Sequence, residues 1–306
     1  MSNFKVISET DIVETKSLIA VIYGEPGVGK TSVSFTTENP VLLDFDGGLH
    51  RSKGRKTAVR VSNWEGVNEF LLSKQFKTLN PKTVVIDTAG TMLDNYIADY
   101  VKRIDRKNSR RGGELSLQGY GAMKMVFNQF VNWAKTQGRN IIFIAHAEGF
   151  KNGDDVQFRP ELTGGAYNIL RQSSDLIGFM HSSTKGLVID FSPSPSHIGK
   201  DCAEIGTVSV PHFSKAEYKS FLQDLINKTL DKMNNLSEEQ VVIKKMIDEY
   251  AEDIKDIETA EDANVQIQVI AENEKAIAVE MFEILKKECE SKGIIYNRKT
   301  KKFEKE

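Results

Sequence analysis

Residues 18–31 read LIAVIYGEPGVGKT, an apolar run followed by a glycine-rich segment that ends in Lys-Thr. Residues 24–31 fill every defined position of the pattern G-x-x-x-x-G-K-[ST]. An apolar strand precedes the segment and a helix-compatible stretch follows it, which is the context that a phosphate-binding loop requires. The alternative interpretation is a glycine-rich turn with a chance lysine.

The residue types explain how such a loop would bind a nucleotide. Glycines let the backbone curl so that its N–H groups face phosphate oxygens, and the following helix adds its positive dipole end. Lys30 would reach the β- and γ-phosphates, and the Thr31 hydroxyl would bind Mg²⁺. The residues expected to hold ATP are Gly24, Glu25, Pro26, Gly27, Val28, Gly29, Lys30, Thr31 and Ser32.

Outward from the loop, short apolar runs alternate with helical patterns. The predicted strands are 18–23, 41–45, 57–61, 83–87, 140–145, 175–180 and 186–191, and the predicted helices lie near 30–37, 64–74, 91–104 and 120–137. Several strands are apolar at consecutive positions, as in strands that are buried on both faces. The alternation therefore predicts an α/β fold with a mainly parallel sheet flanked by helices.

Acidic residues follow two of these strands. TVVID (83–87) ends in Asp87, which would hold Mg²⁺ beside Thr31. VLLDFD (41–46) places Asp44 and Asp46 on one side of an extended chain. Either carboxylate could polarise the attacking water, and we favour Asp46. The alternative is a solvated acidic turn.

This ordered set of motifs, within residues 17–200, resembles the RecA-type ATPase core, including the small RecA-like ATPases that phages use in recombination and single-strand annealing. The resemblance implies that Asp46 activates water and that His146, the last residue of IIFIAH, senses the γ-phosphate. Residues 161–180, ELTGGAYNILRQSSDLIGFM, resemble the stretch that closes the second DNA loop of the family. The chain departs from the recombinases by having Asp for Glu at residue 46 and His for Gln at residue 146. The residues with implied catalytic roles are Lys30, Asp46, Asp87 and His146.

Two segments are candidates for single-stranded DNA. Residues 102–111 contain six basic residues before a Gly-Gly pair, which predicts a mobile basic loop for a phosphate backbone, with a nearby tyrosine to stack on a base. Residues 147–165 are predicted to form a long loop without a regular element. The DNA-binding candidates are Arg103, Arg106, Lys107, Arg110, Arg111, Tyr120, Lys151 and Arg159. The alternative for residues 102–111 is a solvated helix end with surface charge. The alternatives for residues 147–165 are a nucleotide-closing or subunit-contact loop and a plain surface loop.

One further loop candidate concerns assembly. Lys200 is predicted to lie in a loop and to insert into the nucleotide site of a neighbouring subunit in a ring or filament, with Arg171 as a second candidate. His181 and His197 are predicted to be surface histidines. The alternative for Lys200 and Arg171 is surface charge.

Charge divides the 306 residues into parts. Residues 237–290 carry 16 acidic and 6 basic residues, whereas residues 291–306 carry 6 basic and 2 acidic ones. We predict a boundary between 212 and 237, with a core at 1–212, an acidic helical region at 213–290 and a basic tail at 291–306. The tail is either frayed or a second phosphate contact.

Composition excludes several classes. Two cysteines are too few for a disulfide scaffold, and no apolar run suggests a signal peptide or membrane span. We therefore expect a cytoplasmic protein, in the host cytoplasm if it is phage-encoded. The favoured function is a Mg²⁺-dependent ATPase that acts on single-stranded DNA as a homo-oligomer, with a single-strand-binding or replication protein as a candidate partner. The alternatives are an ATPase that loads or remodels a replication protein, and a nucleotide-gated assembly module with little turnover.

Overall fold

The computed structural model describes residues 13–152, 155–163, 165–184, 186–234, 238–273 and 275–305. The chain forms two compact units, Thr15–Met233 and a second made of Asn234–Glu306 with Met1–Glu14. The division lies within the predicted interval of 212–237 but after residue 212. Helix α8 (Phe221–Met233) belongs to the first unit because its apolar face joins the core there, and the Leu222 N–H donates to the Thr36 hydroxyl at 2.9 Å.

The first unit is built around one sheet. Its strands are β1 (Ile19–Gly24), β2 (Pro40–Asp44), β3 (Ala58–Val59), β4 (Thr83–Asp87), β5 (Asn140–Asn152), β6 (Asp155–Pro160), β7 (Leu176–Ser183), β8 (Gly186–Asp190), β9 (Lys200–Asp201) and β10 (Thr207–Ser209). The order is β10-β8-β7-β1-β5-β4-β2-β3, and neighbours from β7 to β3 pair in parallel. Strands β6, β8, β9 and β10 pair antiparallel with their neighbours.

Helices cover both faces of this sheet. Besides α8 they are α1 (Lys30–Ser34), α2 (Trp64–Leu72), α3 (Lys74–Leu79), α4 (Ala89–Thr91), α5 (Ala98–Ile104), α6 (Leu117–Lys135) and α7 (Ala166–Ser173), with a π-helical turn at Met92–Ile97 and short 3₁₀ helices at Leu49–Arg51, Arg106–Asn108 and Ala216–Ser220. Side chains of β1 alternate between the two cores: Val21 and Tyr23 pack on one face, Ala20 and Ile22 on the other. The predicted α/β fold with a mainly parallel, doubly covered sheet is confirmed.

The prediction of a loop without regular elements at 147–165 is wrong. Strand β5 continues to Asn152 and pairs with β6 as an antiparallel hairpin, from Ala147↔Pro160 to Asn152↔Asp155. Alternating residues such as Val156 and Phe158 carry this signal, but glycines and charges obscure it. We call residues 147–160 the β5–β6 hairpin. Residues 153, 154 and 164 lie outside the described part.

The basic segment 102–111 is hydrogen-bonded rather than an irregular loop. Helix α5 ends within it, and Asn108 is buried with its side-chain amide donating to the Val101 carbonyl at 2.8 Å. Ser109 bridges to Leu115, and the Ser116 N–H donates to the Asn108 carbonyl at 2.8 Å. These contacts close the segment into a turn because a buried amide must find backbone partners.

The second unit has helices α9 (Glu238–Asp253), α10 (Ala260–Ala271) and α11 (Lys275–Ser291), a 3₁₀ turn at Ile254–Asp256, and a hairpin of β11 (Ile294–Asn297) and β12 (Lys302–Lys305). Apolar side chains such as Ile254, Leu285 and Phe303 form its own core. The hairpin occupies the predicted tail, so residues 294–305 are regular structure. The predicted helix start at Ser237 lies outside the described residues.

Among the described helices, none combines the length and the apolar character needed to cross a membrane.

Candidate functional site

Three parallel strands end at one edge of the sheet, and a fourth, β5, continues beyond it. Gly24 ends β1, Asp44 ends β2 and Asp87 ends β4, while His146 of β5 lies beside Gly24 in the register. Because parallel strands direct their carboxyl ends to the same edge, side chains far apart in sequence meet there. The edge therefore brings together the phosphate-loop residues, Asp46, Asp87 and His146.

The loop of residues 24–31 is shaped by its glycines. Gly27 and Gly29 have φ values of 81° and 103°, a region that favours glycine. A Cβ at Gly24 would lie 2.2 Å from the Met180 carbonyl oxygen, so only glycine fits where β1 meets β7. The loop consequently opens its backbone at the start of α1, as the sequence motif predicts.

Lys30 lies inside this loop with a relative exposure of 6%. Its ammonium donates to the carbonyls of Gly24 at 2.8 Å and Glu25 at 2.9 Å. Burial lowers the pKa of Lys30 to about 8, although Asp87, Glu25 and Asp46 act in the opposite direction. A buried cation that has no carboxylate in ion-pair contact among the described residues suits an anionic ligand.

Thr31 and Asp87 form the expected oxygen pair. The Thr31 hydroxyl donates to Asp87 Oδ2 at 2.7 Å. Burial raises the pKa of Asp87 to about 6, opposed by the Thr31 hydrogen bond and reinforced by the charges of Asp46 and Asp44. Hydroxyl and carboxylate oxygens are hard ligands of the type Mg²⁺ prefers beside phosphates, so these residues fit that ion.

Asp46 lies beside Asp87, whose main-chain carbonyl accepts from the Asp46 N–H at 3.3 Å, and its carboxylate is held by polar contacts. Thr88 donates to Asp46 Oδ1 at 3.1 Å, and His146 Nε2 lies 3.6 Å from Oδ2. Burial acts to raise the pKa of Asp46, but hydrogen bonds from His146, Thr91 and Thr88 outweigh it and lower the pKa. The carboxylate is therefore ionised at neutral pH and can accept a proton from a bound water.

Asp44 has a different environment. The Asp44 side chain is buried, and its Oδ2 lies 3.0 Å from Nε of the Arg60 guanidinium. A second nitrogen of the same guanidinium donates to the Gly47 carbonyl at 3.2 Å. Asp44 does not line the nucleotide-sized cavity, whereas Asp46 does. Asp44 thus belongs to a structural ion pair, whereas the Asp46 carboxylate faces the cavity.

His146 connects the cavity to the β5–β6 hairpin. Its Nε2 faces Asp46. Its main-chain carbonyl accepts from the N–H of Glu161, the residue that follows the hairpin, at 2.9 Å. Within the described residues, Nδ1 is buried without a hydrogen-bond partner. His146 therefore has one contact at the cavity and another at the base of the hairpin.

The loop opens into a cavity of about 920 Å³, a volume typical of small-molecule sites. It is also lined by residues from 209–218, part of which the sequence analysis assigns to a domain boundary, and by residues 51–53, to which it assigns no site. Phe213 is 49% exposed, with the Lys53 ammonium 3.5 Å from its ring centre and the His212 ring centre 4.3 Å away. An exposed aromatic ring in the same cavity as a phosphate loop suits a nucleotide base. The cluster HFSKAEY at 212–218 is the signal that could have indicated this part of the lining, which we call the base-side wall.

A second concavity, which we call the α6–α7 groove, has a volume of about 770 Å³. It is lined by Lys124, Met125, Asn128, Gly165, Asn168, Ile169, Arg171 and Gln172. None of these lining residues is acidic. A Cβ at Gly165 would lie 3.0 Å from the Lys124 side chain, which therefore crosses the start of α7. Tyr120 lies one turn before Lys124 on α6 and is 43% exposed.

Aromatic and cationic side chains of the β5–β6 hairpin and α7 contact one another. The Arg159 guanidinium lies 4.8 Å from the Phe150 ring centre and 5.8 Å from that of Tyr167, and Arg171 lies 5.9 Å from Tyr167. Arg159 also forms an ion pair with Glu148 at 2.8 Å, so its charge is partly neutralised. Lys151, near the hairpin tip, is exposed.

Other predicted DNA-binding residues have mixed environments. Arg103 pairs with Glu65 at 2.9 Å, and Arg110 approaches Glu114 at 4.0 Å. Arg106, Lys107 and Arg111 form no ion pair within the described residues. These three cations are exposed, and their contact with DNA stays a prediction.

Lys200 and His197 differ from their predicted settings. Lys200 lies in strand β9 rather than in a loop, and its ammonium donates to the Arg171 carbonyl at 3.1 Å. His197 is buried rather than at the surface, because residues 196–198 pair with Phe158 of β6. Lys200 is thus engaged within its own subunit, while its insertion into a neighbouring subunit stays a prediction.

Comparison with known proteins identifies the family. The sequence profile of a family described as an AAA domain (AAA_24) matches residues 16–203, more than half of the chain, so the chain belongs to this AAA-domain family. Together with the loop geometry, this defines the first unit as a phosphate-loop ATPase domain.

Among solved structures, the KaiC-like protein PH0186 from the hyperthermophilic archaeon Pyrococcus horikoshii OT3 is similar at 15% identity and a TM-score of 0.30. The match covers 56% of this chain and 76% of that one. No curated protein matches the sequence.

Proposed function

We propose that this chain is a Mg²⁺-dependent, RecA-like ATPase that acts on single-stranded DNA, of the kind that phages use in recombination and annealing. The observation that carries the proposal is the single strand β5. It holds His146 at the nucleotide cavity and continues into the β5–β6 hairpin, whose Arg159 guanidinium lies 5.8 Å from the ring centre of Tyr167 on α7, one of the two helices that line the α6–α7 groove.

In the ATPase step, Asp46 is the base. It is ionised, it faces the cavity, and Thr88 and His146 fix its orientation, so it accepts a proton as water attacks the γ-phosphorus. The bond from that phosphorus to the β–γ bridging oxygen breaks, and ADP leaves with the electron pair. Lys30 stabilises negative charge on the phosphates. Thr31 and Asp87 would hold Mg²⁺, which neutralises phosphate charge when bound.

His146 responds to the phosphate state through the same carboxylate. Its Nε2 lies 3.6 Å from Asp46 Oδ2, so a γ-phosphate between Lys30 and Asp46 changes what the ring can hydrogen-bond. Because the next residue, Ala147, starts the hairpin pairing with Pro160, a shift of His146 moves the hairpin base. This is a short physical path between nucleotide and nucleic acid.

The groove suits a single strand by composition. Lys124 and Arg171 supply positive charge for phosphates, and Tyr120 and Met125 supply exposed flat or apolar surface for unstacked bases. Single-strand binders combine such cations with stacking side chains and show little sequence preference. A homo-oligomer, as a ring or filament, would align the grooves of successive subunits.

The test is the ratio of ATP hydrolysis with and without single-stranded DNA. We expect wild type to be stimulated by single-stranded more than by double-stranded DNA, and the variant Lys124→Gln/Arg171→Gln to lose the stimulation. The matched control Lys74→Gln/Lys77→Gln removes two exposed charges from α3, away from cavity and groove, and should retain it. Hydrolysis that responds only to a protein partner would instead favour the loader function.

A further inference from the structure

The described part of the second unit is strongly polarised. Residues 237–290 hold ten more acidic than basic residues. Residues 292–305 hold a single acid, Glu304, and six basic residues: Lys292, Arg298, Lys299, Lys301, Lys302 and Lys305. The positive charge is thus concentrated on the β11–β12 hairpin. Such segregation creates a local potential that the near-neutral net charge of the chain conceals.

The β11–β12 hairpin is packed on the core of the second unit and is not a frayed basic tail. Phe303 is 2% exposed, and its ring packs against Tyr296 and Phe282 with centroid distances of 5.1 and 6.0 Å. The Asn264 side chain accepts from the Phe303 N–H at 2.8 Å and donates to the Phe303 carbonyl at 2.9 Å. These contacts anchor β12 to α10 and hold the turn at residues 298–301 in place.

The turn presents four exposed cations: Arg298, Lys299, Lys301 and Lys302. Within the part of the chain that the structure describes, none of the four forms an ion pair. The neighbouring Glu304 carboxylate is occupied by Asn297 at 2.9 Å and Thr300 at 2.7 Å. The charges of the four cations are therefore available to bind a ligand.

The backbone conformation of Lys301 is a further indication that the cations of this turn bind a ligand. Its φ of 55° lies in the left-handed region, where glycine or asparagine is favoured in turns. The turn thus carries a lysine at a position where local conformation alone would select another residue. The side chain is exposed, so packing does not explain the lysine either.

We propose that the β11–β12 hairpin binds the phosphate backbone of nucleic acid, independently of base sequence. Unpaired cations on a rigid turn match a chain of evenly spaced phosphates, and each contact releases counterions. A lipid surface fits less well, because the four-cation turn contains no apolar residue to insert and the exposed Ile295 lies in the strand. The proposal does not depend on ATP hydrolysis.

The test uses the full chain, without nucleotide, and labelled oligonucleotides at several salt concentrations. The variant Arg298→Gln/Lys299→Gln/Lys302→Gln should raise the Kd roughly tenfold at low salt and flatten the salt slope by about 0.7 for each phosphate of the single strand that is no longer neutralised. A control that also removes three charges is Lys245→Gln/Lys255→Gln/Lys286→Gln, whose lysines all pair with nearby glutamates. The control should keep the wild-type slope.

Lys301→Gly separates binding from folding. It removes one cation but relieves the left-handed backbone, so we expect an unchanged or higher melting temperature together with a lower slope. Equal reductions of affinity in the triple variant and its control, or wild-type binding in both hairpin variants, would overturn the proposal. Hairpin-dependent binding of phosphatidylserine vesicles or polyglutamate as strong as that of oligonucleotides would overturn the nucleic-acid assignment. Repeating the titration in Lys30→Ala keeps this result separate from the ATPase.

Discussion

The nucleotide cavity and the α6–α7 groove use charge in opposite ways. In the cavity, Lys30 and Asp87 are buried, and their pKa values move to about 8 and about 6. In the groove, Lys124 and Arg171 belong to an open surface with no acidic lining residue. Burial shifts the pKa values of the cavity side chains toward neutrality, so their protonation changes with pH while salt screens their charges little. Exposed charges are screened by salt, but their protonation changes little near neutral pH.

The difference teaches how one sheet supports two kinds of recognition. The cavity lies where parallel strands end and helices cover both faces, so its charges are desolvated and fixed. The groove lies between two helices on the outside of that frame. We therefore expect mutations in the cavity to change rates by orders of magnitude, and mutations in the groove to change affinity by smaller, salt-dependent factors.

The largest effect should come from removing the buried cation. Lys30→Ala leaves no charge in the loop to stabilise the phosphates, so we expect ATP hydrolysis to fall by roughly 10³-fold or more, since phosphoryl transfer relies on such electrostatic stabilisation. Steady-state phosphate release measures this, with titration of a fluorescent ATP analogue for affinity. Hydrolysis at the wild-type rate would remove the nucleotide assignment of the cavity.

The two acids after β2 provide the next test. Asp46→Asn should retain ATP binding but lower kcat on the order of 10²-fold, the scale of a general base. Asp44→Asn should act mainly on stability, because it weakens the contact between the buried Asp44 carboxylate and the exposed Arg60 guanidinium. Single-turnover hydrolysis and thermal melts distinguish the pair, and a large decrease of kcat in Asp44→Asn alone would reverse the assignment.

Much of the cavity could be predicted from sequence because its parts are local. The strand, the glycine pattern and Lys30 are contiguous, and Asp87 follows an unmistakable apolar run. The sequence already favours Asp46 over Asp44, but the pairing of Asp44 with Arg60, which lies beyond β3, has no sequence signal and is seen only in the folded chain. The strand order, and hence the approach of His146 to Asp46, also required the folded sheet.

The groove and the base-side wall could not be predicted in the same way. Lys124 and Arg171 lie on different helices and meet only through the packing of α6 on α7. The helix-like sequence rich in Glu and Lys that begins near residue 212 predicts a domain boundary there, although residues from 209–218 line the cavity. The β5–β6 hairpin is mistaken for a loop since glycines and charges interrupt its alternation. Sites assembled from distant helices leave no periodic pattern in a single sequence.

The pH profile tests the burial of the cavity charges directly. Asp87 must be ionised to hold Mg²⁺, and its raised pKa predicts that kcat/KM falls below a pH of about 6. Lys30 must be protonated, and its lowered pKa predicts a second fall above a pH of about 8. Each limb should approach tenfold per pH unit, and kcat/KM reports the free enzyme.

Lys30→Arg is the control for the alkaline limb. Arginine stays charged throughout this range, so the limb should disappear whatever the absolute rate of the variant. An alkaline limb that persists unchanged in Lys30→Arg would assign it to another group. The acid limb should be insensitive to salt, in contrast to binding in the groove.

A smaller effect is expected at the base-side wall. Phe213→Ala removes the exposed ring beside Lys53, and the absence of one base-stacking interaction should weaken ATP binding roughly tenfold. Affinity for inorganic triphosphate, which has no base, should not change. Leu72→Ala, an exposed apolar residue on α2 outside the cavity, is the matched control. Equal weakening for ATP and triphosphate would mean that Phe213 supports the fold rather than the base.

The smallest effect should appear at Tyr120, which lies one turn before the groove-lining Lys124 on α6 and offers a ring rather than a charge. Its ring is 43% exposed on the same side of α6 as Lys124, so it can stack on one base. Tyr120→Ala should weaken binding of single-stranded DNA by about fivefold, near the lower end for a stacking interaction. The salt slope should stay at its wild-type value, because stacking releases few counterions, whereas Lys124→Gln should flatten it. Anisotropy titrations at several salt concentrations measure both quantities. A slope that changes equally in the two variants would mean that Tyr120 orders the cations instead of contacting a base, and the contrast between ring and charge in the groove would disappear.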